Sequence, residues 1–225
     1  MLKKFFCLML VVSFLLVNKV SAGESPQWVK NLPAAKTATQ LLIVAQVGEK
    51  TTAWVSMHEK INGAWQQIMT TPGFIGKKGL GKTKEGDAKT PVGTFHFTKA
   101  FGIAPNPGCR LPYTQVDENI YWSGDANYRY NEMVNIKDFP ALDIENSEHL
   151  IEIYPHYTYA LNISYNENGT PGKGSAIFLH CLGDKKTWTD GGIEIPESKM
   201  LFVMQNVKSD CVVVIDSLKK FGGTL

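Results

Sequence analysis

The first half of the chain alternates short apolar runs with turn residues, which is the pattern of β-hairpins. Runs rich in β-branched and aromatic residues predict strands at residues 41–47, 52–58 and 64–69. The segments between them, Gly48-Glu49-Lys50 and Asn62-Gly63, favour turns. Similar runs predict five further strands, at 93–97, 150–153, 160–165, 175–181 and 211–215.

One segment near the C-terminal end has helical periodicity instead. After Pro196, apolar residues recur at helical spacing at Met200, Val203, Met204 and Val207, which predicts a late helix. The chain is 44% hydrophobic and 20% charged, as is ordinary for a globular protein, so overall disorder is excluded. These patterns together predict a mostly β, single-domain protein with one late helix.

Two long segments show no sustained periodicity. Residues 71–97 are rich in glycine and lysine but lack the GxxxxGK(S/T) order of a phosphate-binding loop, so we interpret them as a β-connection that closes on a strand. Residues 100–145 intersperse aromatic and polar side chains, which predicts a long surface loop or lid. Loops of this length in compact domains are often functional.

The first 22 residues have the layout of a secretory signal peptide. Lys3 and Lys4 precede an apolar run of about 13 residues, and Val20-Ser21-Ala22 offers a cleavage site after Ala22. The alternative is a transmembrane anchor, but the run is shorter than the roughly 20 residues that a spanning helix needs. We therefore expect an exported protein, in the periplasm, the cell envelope or outside the cell, with no stable membrane anchor after cleavage. Residues 23–40 are predicted to be a linker and residues 41–225 the domain.

Charge and cysteine content narrow the function classes. Loss of Lys3, Lys4 and Lys19 with the signal peptide would change the formal charge from +2 to −1, and no basic stripe remains for nucleic acid. Three cysteines would remain, which allows at most one disulfide. Cys181 and Cys211 are interpreted as small buried residues in strands, with a bridge between them as the alternative. No two cysteines have C-x-x-C spacing, so the cysteines do not indicate zinc or redox chemistry.

His180 is the candidate for chemistry. Because strand residues alternate faces, Ala176, Phe178 and His180 should share one side of the strand at 175–181, with Cys181 on the other. His180 is the last residue on its face of the strand, where the strand meets a glycine-rich loop. This position suits a general base. A structural histidine is the alternative that this pattern leaves open.

Several ordered motifs resemble the YkuD-type L,D-transpeptidase catalytic domain, in particular its compact secreted branch. SAIFLHC at 175–181, followed by TDGGIEIPE at 189–197, resembles the active-site signature of that family, and the resemblance covers roughly residues 40–216. It implies a β-sandwich domain that performs cysteine-based acyl transfer on peptidoglycan stem peptides. The other matching motifs are KTPVGTF at 89–95, LPY at 111–113 with YW at 121–122, and GKGSAI at 172–177.

Carried over residue by residue, the resemblance assigns His180 as the base, Thr189 as the Ser/Thr of the signature and Gly191 as the glycine before the nucleophile. Gly192 stands where the family has its catalytic cysteine. Glycine cannot form an acyl-enzyme. Because Cys181 should point to the opposite face of the strand, it is not expected to replace the missing thiol.

The aromatic loop of the resemblance implies substrate contacts from Tyr113, Tyr121 and Trp122. Two functional hypotheses follow. The chain is either a peptidoglycan L,D-transpeptidase or carboxypeptidase with impaired activity, or a non-catalytic envelope protein that binds stem peptides. A secreted structural β-domain without a site is a third possibility. No metal ion or organic cofactor is implied.

Overall fold

The computed structural model describes residues 23–183 and 186–224, so the predicted signal peptide at 1–22 lies outside the described residues. The domain is mostly β, as the sequence predicts. The described strands, in chain order, are β1 (Gly23–Glu24), β2 (Gln40–Gln46), β3 (Thr52–Ile61), β4 (Ala64–Phe74), β5 (Gly93–Gly102), β6 (Tyr113–Gln115), β7 (Ile120–Trp122), β8 (Met133–Asn135), β9 (Glu148–His149), β10 (Ala160–Ile163), β11 (Phe178–Cys181), β12 (Ile193–Ile195) and β13 (Val212–Ser217).

Helices are few in the described residues. The α-helices are α1 (Gln27–Lys30) and α2 (Glu197–Asn206), and short 3₁₀ helices form at Pro33–Lys36, Leu150–Glu152 and His156–Thr158. The predicted late helix is confirmed, since Met200, Val203 and Met204 on α2 are fully buried. The prediction of a strand at 150–153 is wrong. A three-residue 3₁₀ helix occupies that segment, because only Leu150 is fully buried and the chain turns there instead of extending.

The main sheet closes on itself. Its strand order is β1-β4-β12-β11-β10-β5-β13-β2-β3, with β6 beside β5, and the long β3–β4 hairpin closes the row by pairing its last strand with β4, next to the short β1. Buried residues from the strands and from α2 form one large hydrophobic core. A barrel-like or sandwich-like arrangement of this kind leaves few unpaired sheet edges.

A second, three-stranded sheet with the order β8-β7-β9 covers the outer face of β11. The region predicted as a long loop or lid, residues 100–145, therefore contains β6, β7 and β8. Strands of three residues are too short to display alternation in the sequence. Trp122 of β7 packs edge-to-face on Phe178 with ring centroids 4.7 Å apart, so this sheet supports the strand that carries His180.

The segment predicted as a linker, residues 23–40, is packed against the domain. Val29 of α1 and Ala35 of the first 3₁₀ helix are buried in a cluster with residues of β2. The hydroxyl of Ser25, next to β1, forms a hydrogen bond of 2.8 Å with Nδ1 of the buried His58.

Candidate active site

His180 lies at the end of β11, on the face opposite the main core. Leu179 and Cys181 point into that core, whereas Phe178 belongs to the aromatic cluster on the other side, so the alternation predicted from the sequence is confirmed. The imidazole is 8% exposed and stands edge-to-face with the ring of Tyr157, at a centroid distance of 5.7 Å. Its position is therefore fixed by aromatic packing.

The imidazole is set up as a neutral base. Burial lowers the pKa of His180 to about 4, even though the carbonyl of Cys181 favours the protonated form. Nδ1 lies 3.0 Å from that carbonyl oxygen, and a neutral ring that donates its Nδ1 proton there carries the free lone pair on Nε2. His180 can therefore accept a proton, or bind a cation, through Nε2.

Threonine hydroxyls hold the loop in front of His180. Thr189 accepts a hydrogen bond of 3.1 Å from the Gly191 amide and donates one of 2.6 Å to the Gly192 carbonyl. Thr90 accepts from the Gly76 amide at 2.9 Å and donates to the Gly191 carbonyl at 2.9 Å. These contacts connect the 71–97 segment to the loop, so both segments shape one site.

Residue 192 faces the imidazole. A side-chain carbon built on Gly192 would stand 3.1 Å from Nε2 of His180 and 2.9 Å from the carbonyl oxygen of Phe178. The φ angle of Gly192 is not in the left-handed region. The structure thus brings His180, Thr189, Gly191 and Gly192 together at one place.

None of the three cysteines in the described residues reaches this loop. All three are free. Cys181 points into the core, where its thiol contacts the carbonyl of Tyr159, and burial raises its pKa to about 12. Cys109 packs against the same core, and burial raises its pKa as well. The interpretation of Cys181 and Cys211 as buried thiols is confirmed.

The aromatic residues expected to contact substrate lie elsewhere. Tyr113 packs on the main core and donates a hydrogen bond of 2.7 Å to Ala104, while Tyr121 stacks on His149 at 4.3 Å. Trp122 is buried and donates from Nε1 to Asn131 at 3.0 Å. None of the three lines the pocket at His180. Their positions do not support the expected role, because the loop turns these rings inward as packing.

The cavity in front of His180 has a volume of about 300 Å³ and carries both signs of charge. Lys82 at its wall is buried and ion-paired with Asp87 at 3.0 Å. Burial alone would raise the pKa of Asp87, but backbone N–H groups of Thr83 and Lys84 and the Lys82 ammonium lower it to about 2. This charged pair anchors the 71–97 segment beside Gly191.

Sequence reasoning missed two ionisable groups at the centre of the cavity. His156 comes from the third 3₁₀ helix, and Glu194 from the middle of β12, where it is 1% exposed. Burial raises the pKa of Glu194 to about 7. Ligand atoms of His156, His180 and Glu194 all lie within 4.8 Å of one another. A carboxylate between two isoleucines in a short strand was the signal that could have drawn attention to Glu194.

The fold and the site define a β-domain with a buried, neutral histidine in a charged cavity. The histidine faces a glycine loop that threonine hydroxyls hold in place. The family model of YkuD, the L,D-transpeptidase catalytic domain, matches residues 42–215, and the chain belongs to this family. No curated protein sequence matches the chain significantly.

Solved structures that are similar to this chain include one from Bdellovibrio bacteriovorus and one from Campylobacter jejuni. Bd1075 of Bdellovibrio bacteriovorus aligns with a TM-score of 0.43 and 17% identity, over 81% of this chain and 49% of that one. The helical cell shape determining protein Pgp2 from Campylobacter jejuni aligns with a TM-score of 0.41 and 16% identity, over 84% and 53% of the two chains. The chain thus spans about half the length of these structures.

Proposed function

We propose that this chain acts on peptidoglycan stem peptides as an L,D-transpeptidase-family protein, and that its cysteine acyl transfer is impaired because Gly192 stands at the position of the family nucleophile. One observation carries the proposal. The Cβ position of residue 192 lies 3.1 Å from the lone-pair nitrogen of His180, where a thiol would meet its base, and no thiol is there.

The family reaction needs that thiol. A thiolate attacks the carbonyl of the third residue of the stem peptide, a D-amino acid leaves, and an amine or water takes the acyl group. No described side chain replaces the thiol at residue 192. The Thr189 hydroxyl is engaged with the Gly192 carbonyl, and the raised pKa of Cys181 keeps it protonated on the far face of β11.

A second candidate function is recognition of stem peptides without turnover. The cavity of about 300 Å³ is lined by lysine, glutamate and aspartate side chains, among them Lys186, Glu85 and Asp190. Groups of both signs suit a peptide ligand that carries amines and carboxylates. Loss of the nucleophile alone leaves these binding groups in place.

We place this activity outside the cytoplasm, in the periplasm or cell envelope. The support is the predicted signal peptide at residues 1–22. In the described part of the chain, no helix has the length and apolar character needed to cross a membrane.

The first test is intact-mass spectrometry after incubation with a carbapenem, which acylates an active-site thiol. We expect no adduct on the unmodified protein and one adduct on the Gly192→Cys variant. The new side chain would place Cβ 2.9 Å from the Phe178 carbonyl oxygen, closer than a Cβ normally approaches the backbone, so the loop must shift to admit it.

The matched control is Gly192→Cys combined with His180→Ala, which keeps the thiol and removes the base. Acylation should slow by about 100-fold or more, because general-base assistance contributes roughly that much. An adduct on the unmodified protein, mapped to Cys109 or Cys181, would contradict the proposed impairment. A folded Gly192→Cys variant that stays unlabelled would show that the site has lost more than its nucleophile.

The two candidate functions can be distinguished by whether the protein binds soluble muropeptides and whether it cleaves them. Calorimetry that detects saturable binding, with no cleavage of the muropeptide by mass spectrometry, would support recognition without turnover. The absence of binding to either the unmodified protein or the Gly192→Cys variant would count against a stem-peptide ligand.

A further inference from the structure

Three side chains from separate elements meet at the floor of the cavity. His180 lies in β11 and Glu194 in β12, and the parallel pairing of the two strands places these residues side by side in register. His156 enters from the 3₁₀ helix across the cavity, with its ring centroid 5.7 Å from that of His180. Two imidazoles and a carboxylate therefore converge on one point, with ligand atoms within 4.8 Å of one another.

Two polar atoms of this cluster lack a hydrogen-bond partner among the described residues. They are Nδ1 of His156 and Oε1 of Glu194, and both are buried. The His156 Nδ1 and Glu194 Oε2 atoms are 3.4 Å apart, but no hydrogen bond joins them in the required geometry. Glu194 is 1% exposed, and although the Gly183 backbone N–H and the Lys186 charge favour its ionised form, Oε1 has no partner in the described part of the chain, which is costly for a buried carboxylate. A cation between these atoms would remove the cost.

The donor set is one that proteins use for catalytic zinc. Two histidines and one glutamate bind the ion, and the fourth position of the tetrahedron stays open to water or substrate. With metal–ligand distances of about 2.0–2.1 Å, tetrahedral ligand atoms lie about 3.4 Å apart. The His156–Glu194 separation already has that value. The other ligand atoms lie within 4.8 Å of one another.

The surroundings of His180 fit a metal ligand as well. Its Nδ1 is engaged with the Cys181 carbonyl at 3.0 Å, which fixes the ring and turns Nε2 into the cavity. Metal-binding histidines commonly have such a partner on their other nitrogen. Gly192 itself places no side chain beside Nε2.

We propose that the cavity binds one divalent transition-metal ion of the zinc class through His156, His180 and Glu194, with a coordination position open to the cavity. The site uses the space that a thiol at residue 192 would otherwise occupy. It does not depend on stem-peptide recognition, so it can be tested independently of the proposed function.

The test is a zinc titration of the purified protein, prepared without a polyhistidine tag and stripped of metal by a chelator. Competition with a chromophoric zinc indicator at neutral pH should give one site per chain. His156→Ala and Glu194→Gln should each weaken zinc binding by about 100-fold or more, since even indirect partners of a metal ligand contribute 10–100-fold. The His156 side chain is 33% exposed, so its removal should leave the fold intact.

Two controls separate this site from surface binding. His96→Ala removes an exposed histidine that lies 3.5 Å from Glu167, and Cys109→Ser removes the cysteine that is only partly buried. Neither substitution should change the zinc affinity. Circular dichroism of each variant establishes that it is folded before titration.

Cobalt provides a second readout. The Co²⁺ form of the unmodified protein should show the intense visible absorption of a four- or five-coordinate ion, and His156→Ala should abolish it. The proposal is overturned if the unmodified protein shows no saturable zinc site, or if zinc affinity is unchanged in both His156→Ala and a folded Glu194→Gln. If Glu194→Gln does not fold, the unmodified protein and His156→Ala still decide the outcome.

Discussion

Two adjacent glycines in the loop before β12 have different reasons to be glycine. Gly191 has a φ of +149°, and a side-chain carbon there would stand 3.0 Å from both Ile177 Cδ1 and the Lys89 carbonyl oxygen. Gly192 has no such backbone requirement, although its Cβ position is tight against Phe178. Gly191 is therefore demanded by the backbone, whereas Gly192 decides which chemistry the site can perform.

Gly191→Ala should lower the free energy of unfolding by about 1–3 kcal/mol, because alanine is strained at this φ and has no free space. Urea denaturation measures the change. Gly23→Ala, where no atom lies within 4 Å and φ is not positive, should stay within about 0.5 kcal/mol of the unmodified protein. Equal effects of the two substitutions would show that the loop does not constrain residue 191.

At the scale of elements, the site depends on short irregular segments held by the core. The 3₁₀ helices at Leu150–Glu152 and His156–Thr158 carry no long periodic pattern, yet they deliver His156 and Tyr157 to the cavity. Leu150 and Tyr157 pack in the cluster that contains Phe178 and Trp122. Tertiary contacts, rather than local propensity, therefore position this side of the site.

Leu150→Ala should destabilise the protein by about 2–5 kcal/mol, since it empties a fully buried site. Thermal and urea unfolding report the loss. Ile144→Ala in the same region, at a side chain that is 51% exposed, should cost about 1 kcal/mol or less. A cost for Leu150→Ala no larger than that of the control would mean that the cluster does not hold the segment.

At the scale of the molecule, closure of the sheet buries a titratable group far from the site. His58 on β3 is fully buried, with Ser25 and Ser56 hydroxyls 2.8 Å from its two ring nitrogens. Burial lowers its pKa to about 4. Because Ser25 belongs to the N-terminal segment, His58 connects that segment to the closed sheet. Packing of the segment on the sheet should therefore depend on pH.

The free energy of unfolding should depend on pH because of His58. Between about pH 6.5 and pH 4 the unfolded chain binds a proton at this histidine and the folded chain does not, so stability falls as the pH falls through this window. The stability difference between the unmodified protein and His58→Gln should therefore shrink by about 2–3 kcal/mol from pH 7.5 to pH 4.5. Urea unfolding across this range measures it, and a constant difference would contradict the assignment.

Local pattern was enough for most of the longer strands, for the late helix and for the first catalytic candidate. Period-two alternation identified the face of His180, and the 3.6-residue period identified α2, because both signals lie within a few adjacent residues. The ordered motifs around residues 89–95 and 189–197 were enough for the family. These properties depend on short stretches of the chain, so they can be predicted without knowing the long-range contacts.

Only the tertiary structure decided which other residues share the cavity. His156 and Glu194 lie far apart in the sequence and meet because β11 pairs with β12 and the 3₁₀ segment folds over them, while the Thr90 hydrogen bonds bring the segment with Lys82 to the same cavity. The same packing turned Tyr113, Tyr121 and Trp122 away from the site. The sequence by itself determined the longer strands, the late helix and the identity of residue 192, but not the three-residue strands. The convergence of two imidazoles on a buried carboxylate arises from sheet closure, since non-local pairing leaves no periodic trace in the chain.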